Sequence, residues 1–415
     1  MNGSVAVLGA GIVGTCCALA LQRQGLSVVL IDRNEPGLGC SFGNAGMIQT
    51  GSVVPLAVPG ILKRVPRMLF DSQGPLVLNW TQLPRLFPWL SAFLQNANPS
   101  ALNRTAIALS ALLAEAKVAY RKLSERTEAL SLFRARGELY VFASDASYAA
   151  LNSRFAIYRQ HGVEYVEMSA DELRAFEPHL SERYKRGYYL PDSEYVVDPL
   201  ALTQRLASAF TDAGGTFVRA GAKNLKQSPS GEIILKLDKG EIEADRLVIA
   251  AGSESGRLAK TLGADMPVEP LRGYHVMMVD DGIKLSGPVI EGDMNIAALP
   301  MPSGIRIAGT LEFAGHHASP RWGRADMLVP MAKRMLPEIR GEARTRWYGY
   351  RPCMPDSLPV LGVAPGHSNV WYAFGHGQLG LTLAGISGQL IAEMVTGQAP
   401  SIDISPFRPN RFMAA

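Results

Sequence analysis

The sequence predicts an α/β chain of two interleaved domains, one built on a parallel sheet and the other α+β with a mostly antiparallel sheet. Three observations predict it. Residues 4–32 read as a strand, a glycine turn, a helix and a second strand. Strand–helix alternation of the same kind resumes near residue 197. Residues 267–350 are dominated by alternating, strand-like patterns. At 415 residues the chain is also too long for one simple core, which favours two domains sharing a site.

Taken in order, SVAVL at 4–8 reads as a buried parallel strand, and Gly9-Ala10-Gly11-Ile12-Val13-Gly14 follows directly. Apolar residues then recur at helical spacing as far as Gly25, and SVVLID at 27–32 is a second strand ending in Asp32. Residues 37–49 are a glycine-rich loop. The insertion at 53–95 mixes apolar and aromatic residues with Pro, Lys and Arg. A long helix is expected over 100–130, a strand over 137–142, a helix over 146–161 and a short strand over 163–166. Asp198-Pro199 is a helix start, with Asp as N-cap and Pro in the first turn, and that helix runs to Gly214-Gly215. Strands follow at 216–219, 232–237 and 245–250, the last ending in Ala251-Gly252-Ser253. YHVMMV and GIRIAGT belong to the antiparallel sheet. The chain closes with the glycine-rich WYAFGHGQLGLT and a helix near 382–396. One domain is thus expected to comprise 1–50, 197–265 and 350–400, and the other 51–196 with 266–349.

Composition narrows the class. A hydrophobic fraction of 47% with 19% charged residues belongs to a globular chain. The net charge of +4, from 41 basic and 37 acidic residues, leaves no nucleic-acid footprint. It is compatible with attraction of a carboxylate or an anionic membrane face. Cys16, Cys17, Cys40 and Cys353 form no C-x-x-C and no cluster with histidine, so reduced thiols and no metal site are expected. The first apolar run lacks the flanks of a signal peptide, and no 18-residue apolar run exists. The expected compartment is the cytoplasm.

The glycine motif carries the first chemistry. It has a strand before it, a helix after it, and Asp32 placed 23 residues beyond Gly9. Glycines admit a pyrophosphate to the backbone, the helix N-terminus supplies amide donors, and the acid accepts from ribose hydroxyls. This reads as a dinucleotide site. Arg33 reads as a solvated residue beside the adenosine. Two further glycine-rich loops, at 37–49 and near the C-terminus, exceed what a nicotinamide cofactor needs.

VLGAGIVG (7–14), SFGNAGMI (41–48), VDP (197–199), VIAAGS (248–253), PLRGY (270–274), YRPCMPDSLPVLG (350–362), GHGQLGLT (375–382) and SGQLIAEMVTG (387–397) occur together and in this order. In this the chain resembles the D-amino-acid oxidase superfamily of flavoproteins, and within it the bacterial D-amino acid dehydrogenases. The resemblance implies a Rossmann-like FAD-binding domain of the glutathione-reductase type. It also implies non-covalent FAD and oxidation of a D-amino acid or a cyclic imino acid such as D-proline or D-hydroxyproline. Hydride would pass from Cα to flavin N5, and electrons would leave to a quinone or another acceptor.

Carried over residue by residue, the resemblance gives Gly9, Gly11 and Gly14, with Ile12 and Val13 between them, to the pyrophosphate, and Asp32 to ribose. Ser41, Asn44, Ala45, Gly46 and Met47 line pyrophosphate and flavin. The backbone at Lys223, where the family has an aliphatic residue, meets adenine. Ala251 and Gly252 close over the ADP half. Gly377, Gln378, Leu379 and Gly380, with Thr382, present amides to the flavin's pyrimidine edge. Arg351 holds the substrate carboxylate, because a guanidinium fork gives bidentate geometry. The alternative for Arg351 is an ion pair with Asp356. Tyr274 and Tyr350 are candidate hydroxyl contacts, and His376 orients substrate or flavin or is a satisfied structural histidine. Met354 stands where the family often has Thr. Cys353 invites comparison with sarcosine oxidases, which attach FAD through a cysteine farther upstream, and reads here as a packing residue.

The insertion at 53–95 holds Trp80, Trp89, Phe70, Phe87 and Phe93 beside Lys63, Arg64, Arg67 and Arg85. It reads either as a segment for peripheral membrane contact or as an ordinary lid or core insertion. Two other functions stay open: a glycine- or sarcosine-type oxidase using oxygen, and a flavoprotein subunit of a hetero-oligomer.

Overall fold

A six-stranded sheet organises the first half of the site. The computed structural model describes residues 3–63, 65, 74, 76–279 and 282–413. Ser4–Leu8 and Ser27–Asp32 pair in parallel, flanked by Thr216–Arg219 on one side and Arg246–Ile249 with Val370–Phe374 on the other. Val360–Val363 closes the edge in antiparallel sense. Their apolar runs are continuous because helices cover the sheet. Helix Ile12–Arg23 packs on helix Gly380–Val395 so closely that a Cβ at Gly388 would lie 2.7 Å from the Cys16 backbone. That contact explains the two buried cysteines, and burial pushes the Cys17 thiol up to about 12.

The second large sheet has the order Ala343–Cys353, Glu269–Met278, Gly304–Phe313, Ile296–Met301, Val289–Glu291, Glu138–Phe142, Arg186–Leu190 and Val166–Ser169. It is antiparallel except where Val289–Glu291 runs parallel to Glu138–Phe142 and where Leu76–Leu78 adds to Gly304–Phe313. Two small sheets complete the fold: 222–227, 233–237 and 241–244, and a trio of short strands at 47–48, 194–196 and 133–134.

Several expectations shift. The long helix spans Pro99–Leu123 and stops short of residue 130. Arg126 takes φ +60, and Thr127 then caps a 3₁₀ turn at Glu128–Leu132. The short strand expected at 163–166 forms at Val166–Ser169. Asp198 is the N-cap of Pro199–Asp212, its Oδ1 accepting from the Ala201 amide at 3.0 Å. Strand Ala343–Cys353 runs straight across the domain boundary expected at 350.

Of the insertion at 53–95, Phe70, Arg64 and Arg67 lie outside the described residues. Helix Leu83–Gln95 buries Trp89, whose Nε1 donates to the Cys353 carbonyl at 3.3 Å and whose ring stacks on Phe93. Arg85 makes a two-pronged ion pair with the buried Glu269 at 3.0 and 2.8 Å. The opposite side of this helix exposes Phe87.

Candidate active site

The two sheets meet around a cavity of about 1470 Å³ that reaches from the first glycine turn to Arg351. The glycines at its head have separate jobs. Gly9 takes φ +105, and a Cβ there would lie 2.4 Å from the Ala250 carbonyl oxygen. A Cβ at Gly14 would lie 1.8 Å from the Gly9 carbonyl oxygen, so this glycine lets the helix close on the turn. At Gly11 the nearest atom is Ser41 Oγ at 3.5 Å, which leaves the backbone open to the cavity.

The N-cap of helix Ile12–Arg23 is Gly11, which has no side chain to cap it, and no acid sits in the first turn, so the helix dipole and the remaining first-turn amides favour an anion. Ser41 Oγ accepts from the Ile12 amide at 2.9 Å, and Ile12 and Val13 line the cavity. Asp32 accepts from the amides of Ala10 (2.8 Å) and Asn34 (2.9 Å), which leaves acceptor capacity for ribose hydroxyls. Arg33 is exposed, 3.9 Å from Glu254. Ala251 and Gly252 border the cavity. At the adenine end it is Ala220, Gly221 and Ala222 that line it; Lys223 does not, and its carbonyl accepts from Arg257 at 3.5 Å.

In the second glycine loop Ser41, Asn44, Ala45 and Met47 line the cavity, while Gly46 sits behind it at φ +82 against the Val196 carbonyl. Asn44 Oδ1 accepts from the Gly46 amide at 2.8 Å and so shapes this turn. Thr382, buried, donates to the Met47 carbonyl at 3.3 Å, tying the loop to the C-terminal helix. Gly377, Gln378 and Gly380 line the cavity; Leu379 is buried beside them. The Gly377 amide donates to the Pro352 carbonyl at 2.9 Å, which fixes the C-terminal loop against the strand carrying Arg351.

Arg351 lies flat over Gly273, where a Cβ would come within 1.9 Å of its Nη1. Among the described residues it has no acidic partner. Asp356 is taken by Arg411 at 2.7 Å, so the alternative of an Arg351–Asp356 pair is not what forms. Its one hydrogen bond is a long one, 3.5 Å, to the Thr310 carbonyl. Thr310 sits at φ +61 in a bulge opposite Gly273, with its buried hydroxyl unpartnered. Burial lowers the Arg351 pKa, as expected of a cation lacking its anion.

Tyr274 and Tyr350 border the cavity, but their hydroxyls are engaged on the other face of the sheet. Strand alternation dictates this: Leu271, Gly273 and Arg351 share one face, and Arg272, Tyr274 and Tyr350 the other. Tyr274 donates to Glu312 at 2.6 Å and accepts from the Arg321 amide at 2.9 Å. Tyr350 donates to the His316 carbonyl at 3.1 Å and accepts from the fully buried Arg272 at 3.2 Å. His376 also points inward. Its Nε2 meets Ser387 Oγ at 2.8 Å, and burial pulls it down to about 4, so it is neutral at pH 7. All three border the cavity, with these polar atoms already engaged within the protein. Cys353 is buried with its thiol pushed up to about 12, and Met354 packs under Gly375. Sequence reasoning missed Gly273 and Thr310, whose strand patterns gave no hint of a bulge, and Arg306 and His275, which cap the loop at 41–47 from behind.

A glycine turn at an uncapped helix, a ribose-facing acid, two further glycine loops and an unpaired arginine around one cavity define a flavin-dependent oxidoreductase of the amine-oxidising kind. The family model described as FAD dependent oxidoreductase matches residues 4–394, so the chain belongs to that family of enzymes and uses FAD. It is 37% identical over 99% of both chains to a D-amino-acid oxidase of Bradyrhizobium diazoefficiens. It is 30% identical, over 94% of this chain and 95% of the other, to a D-amino acid dehydrogenase of Vibrio vulnificus. Among solved structures it matches glycine oxidase from Geobacillus kaustophilus with a TM-score of 0.78 at 22% identity, covering 99% of this chain and 100% of that one. L-proline dehydrogenase from P. horikoshii matches with a TM-score of 0.75 at 18% identity, covering 99% and 98%.

Proposed function

We propose that the chain oxidatively deaminates a D-amino acid, or a cyclic D-imino acid of the D-proline or D-hydroxyproline type, and passes the electrons to a quinone or another acceptor. The names of its D-amino-acid-oxidising relatives support the substrate class, and the dehydrogenases among them support the acceptor. The observation that carries the reading is Arg351: a guanidinium lining the cavity, without an acid, laid over a glycine that only a hydrogen side chain accommodates.

Arg351 binds the carboxylate in a fork and so fixes the orientation of the substrate's Cα–H within the cavity. FAD, held non-covalently along the glycine loops, supplies the two-electron acceptor. His376 is neutral and turned to Ser387, and no side-chain base is required when the substrate binds with its amine neutral, the ammonium proton having been left to water. The imine product leaves to be hydrolysed by water.

The test is anaerobic flavin bleaching against D- and L-amino acids, cyclic imino acids, glycine and sarcosine. Bleaching by D-amino or D-imino acids with slow recovery in air is expected; bleaching by glycine or sarcosine alone would overturn the reading. Arg351→Lys keeps the charge and loses the fork, and KM should rise roughly 10-fold. Arg351→Met should lose about 100-fold in kcat/KM, the range of a charge-assisted hydrogen-bond pair. A Met variant with full turnover would remove the carboxylate assignment.

A further inference from the structure

The loop at 41–47 is held from behind by the substrate sheet. Arg306, in strand Gly304–Phe313, is buried and donates through Nη1 to the carbonyls of Phe42, at 3.2 Å, and of Asn44. His275, in the neighbouring strand Glu269–Met278, places Nδ1 3.2 Å from the Gly43 carbonyl between them. Three successive loop carbonyls are thus capped by two side chains of another sheet. His275 is itself fixed by stacking on Trp347, with centroids 4.9 Å apart and planes 17° apart. The Trp347 ring covers Gly43 so closely that a Cβ there would lie 2.1 Å from it.

Arg306 has no acid within ion-pair distance among the described residues; Asp198 is the carboxylate it feels most, and that group caps a helix. Its remaining polar contact is Nε to the Met277 sulfur at 3.4 Å. A lone buried guanidinium is costly for stability, and an apolar side chain of similar volume would serve the core better. In a trans peptide the N–H points opposite to the preceding C=O. Carbonyls drawn toward Arg306 and His275 therefore turn the Gly43 and Ala45 amides away from them, toward the cavity those residues line. The Asn44 amide instead closes a turn onto Ser41.

We propose that Arg306 and His275 are positioning residues that set the FAD loop from the substrate sheet, aim its amides at the cofactor and place a fixed positive charge behind it. This role is independent of which amino acid Arg351 binds. It links the two sheets: when the loop is ordered by FAD, the strands that carry Gly273 and Arg351 are braced by the same contacts.

The test uses Arg306→Met, Arg306→Lys and His275→Phe, the last keeping the stack on Trp347 without the donor. FAD affinity of the apoprotein, the flavin midpoint potential and apoprotein Tm are measured beside steady-state kinetics. Arg306→Met should bind FAD at least tenfold more weakly and shift the potential negative, with kcat reduced and KM within about twofold of the parent. Arg306→Lys should restore the potential more than the affinity. His275→Phe should weaken FAD binding and leave the potential close to the parent value. Unchanged affinity and potential in Arg306→Met would overturn the proposal, as would losses that merely track a fall in apoprotein Tm. If Arg306→Met fails to fold, His275→Phe decides the matter, and parent-like FAD affinity in that variant would overturn the proposal. A wrong substrate assignment instead appears as bleaching by none of the D-amino or D-imino acids, with FAD binding still dependent on Arg306.

Discussion

Single atoms decide most of what this site can do. Gly273 and Arg351 show it: the guanidinium occupies the space of the Cβ that any other residue would carry at 273. Gly273→Ala should therefore leave FAD bound and displace the arginine, raising KM by about tenfold or more while flavin absorbance at saturation is unchanged; a parent-like KM would show that Arg351 has another seat. The buried histidines give a pH signature. His376 and His275 are held neutral, at about 4 and about 3, by burial, with the Arg306 charge adding to the effect on His275. Unfolded histidine titrates near 6.5, so between about pH 6.5 and 4 the unfolded chain binds protons that the folded chain refuses. Stability is full above that window and falls through it as pH drops. For His376 the loss is on the order of 3 kcal/mol at the acid end. Scanning calorimetry of the parent and His376→Gln should show a flatter Tm–pH curve in the variant. At this scale the sequence was legible only where chemistry is local. Gly9, Gly11 and Asp32 could be proposed as a dinucleotide site because a strand, a glycine turn, a helix and an acid at fixed spacing lie within one short segment. Tyr350 next to Arg351 was not, although period-2 alternation already puts adjacent strand residues on opposite faces. Which face borders the cavity depends on pairing with Glu269–Met278, and no local pattern encodes that register.

Elements were read best where their ends carry caps. Asp198-Pro199 marked its helix correctly, since a side-chain cap and a proline first turn act within four residues. The helix over 100–130 was read too long because it stops at Leu123 with Ser124 as C-cap, and neither that end nor the turn after it, where Arg126 takes φ +60, carries a glycine or proline. Helix Leu83–Gln95 shows what an insertion contributes once folded. Its inner side anchors Trp89 to the Cys353 carbonyl, two residues from Arg351, and its Arg85 covers the buried Glu269, whose pKa burial raises. Removing Arg85 strands that carboxylate, while replacing both partners removes the charge as well. Arg85→Met should lower stability by roughly 1–3 kcal/mol, and adding Glu269→Gln should recover part of it. Chemical denaturation of the single and double variants measures the coupling, and strictly additive losses would show that the pair is not what holds this helix.

For the whole molecule the open question is where it works. No helix among the described residues is long and apolar enough to cross a membrane. Yet Trp80, Phe87 and Leu94 are 62%, 67% and 38% exposed, and Phe87 and Leu94 lie seven residues apart on one helix, hence on the same side. Leu62, 59% exposed, and Lys63 belong to the same insertion. Apolar side chains in outward positions, with cations at hand, fit a segment that lies in a bilayer interface, and quinone is a bilayer-dissolved acceptor. The sequence left the insertion between a membrane segment and a core piece. The fold accounts for both patterns: one side of the helix packs on the substrate sheet, and among the described residues Phe87 and Leu94 on the other side are exposed. The protein should co-sediment with anionic vesicles at low salt and be released as salt rises, because screening weakens the cationic part of the contact. The double variant Trp80→Ser, Phe87→Ser should lose sedimentation, keep D-amino acid turnover with a soluble dye, and lose turnover with quinone supplied in vesicles. If parent and variant sediment alike, this exposed side does not meet lipid.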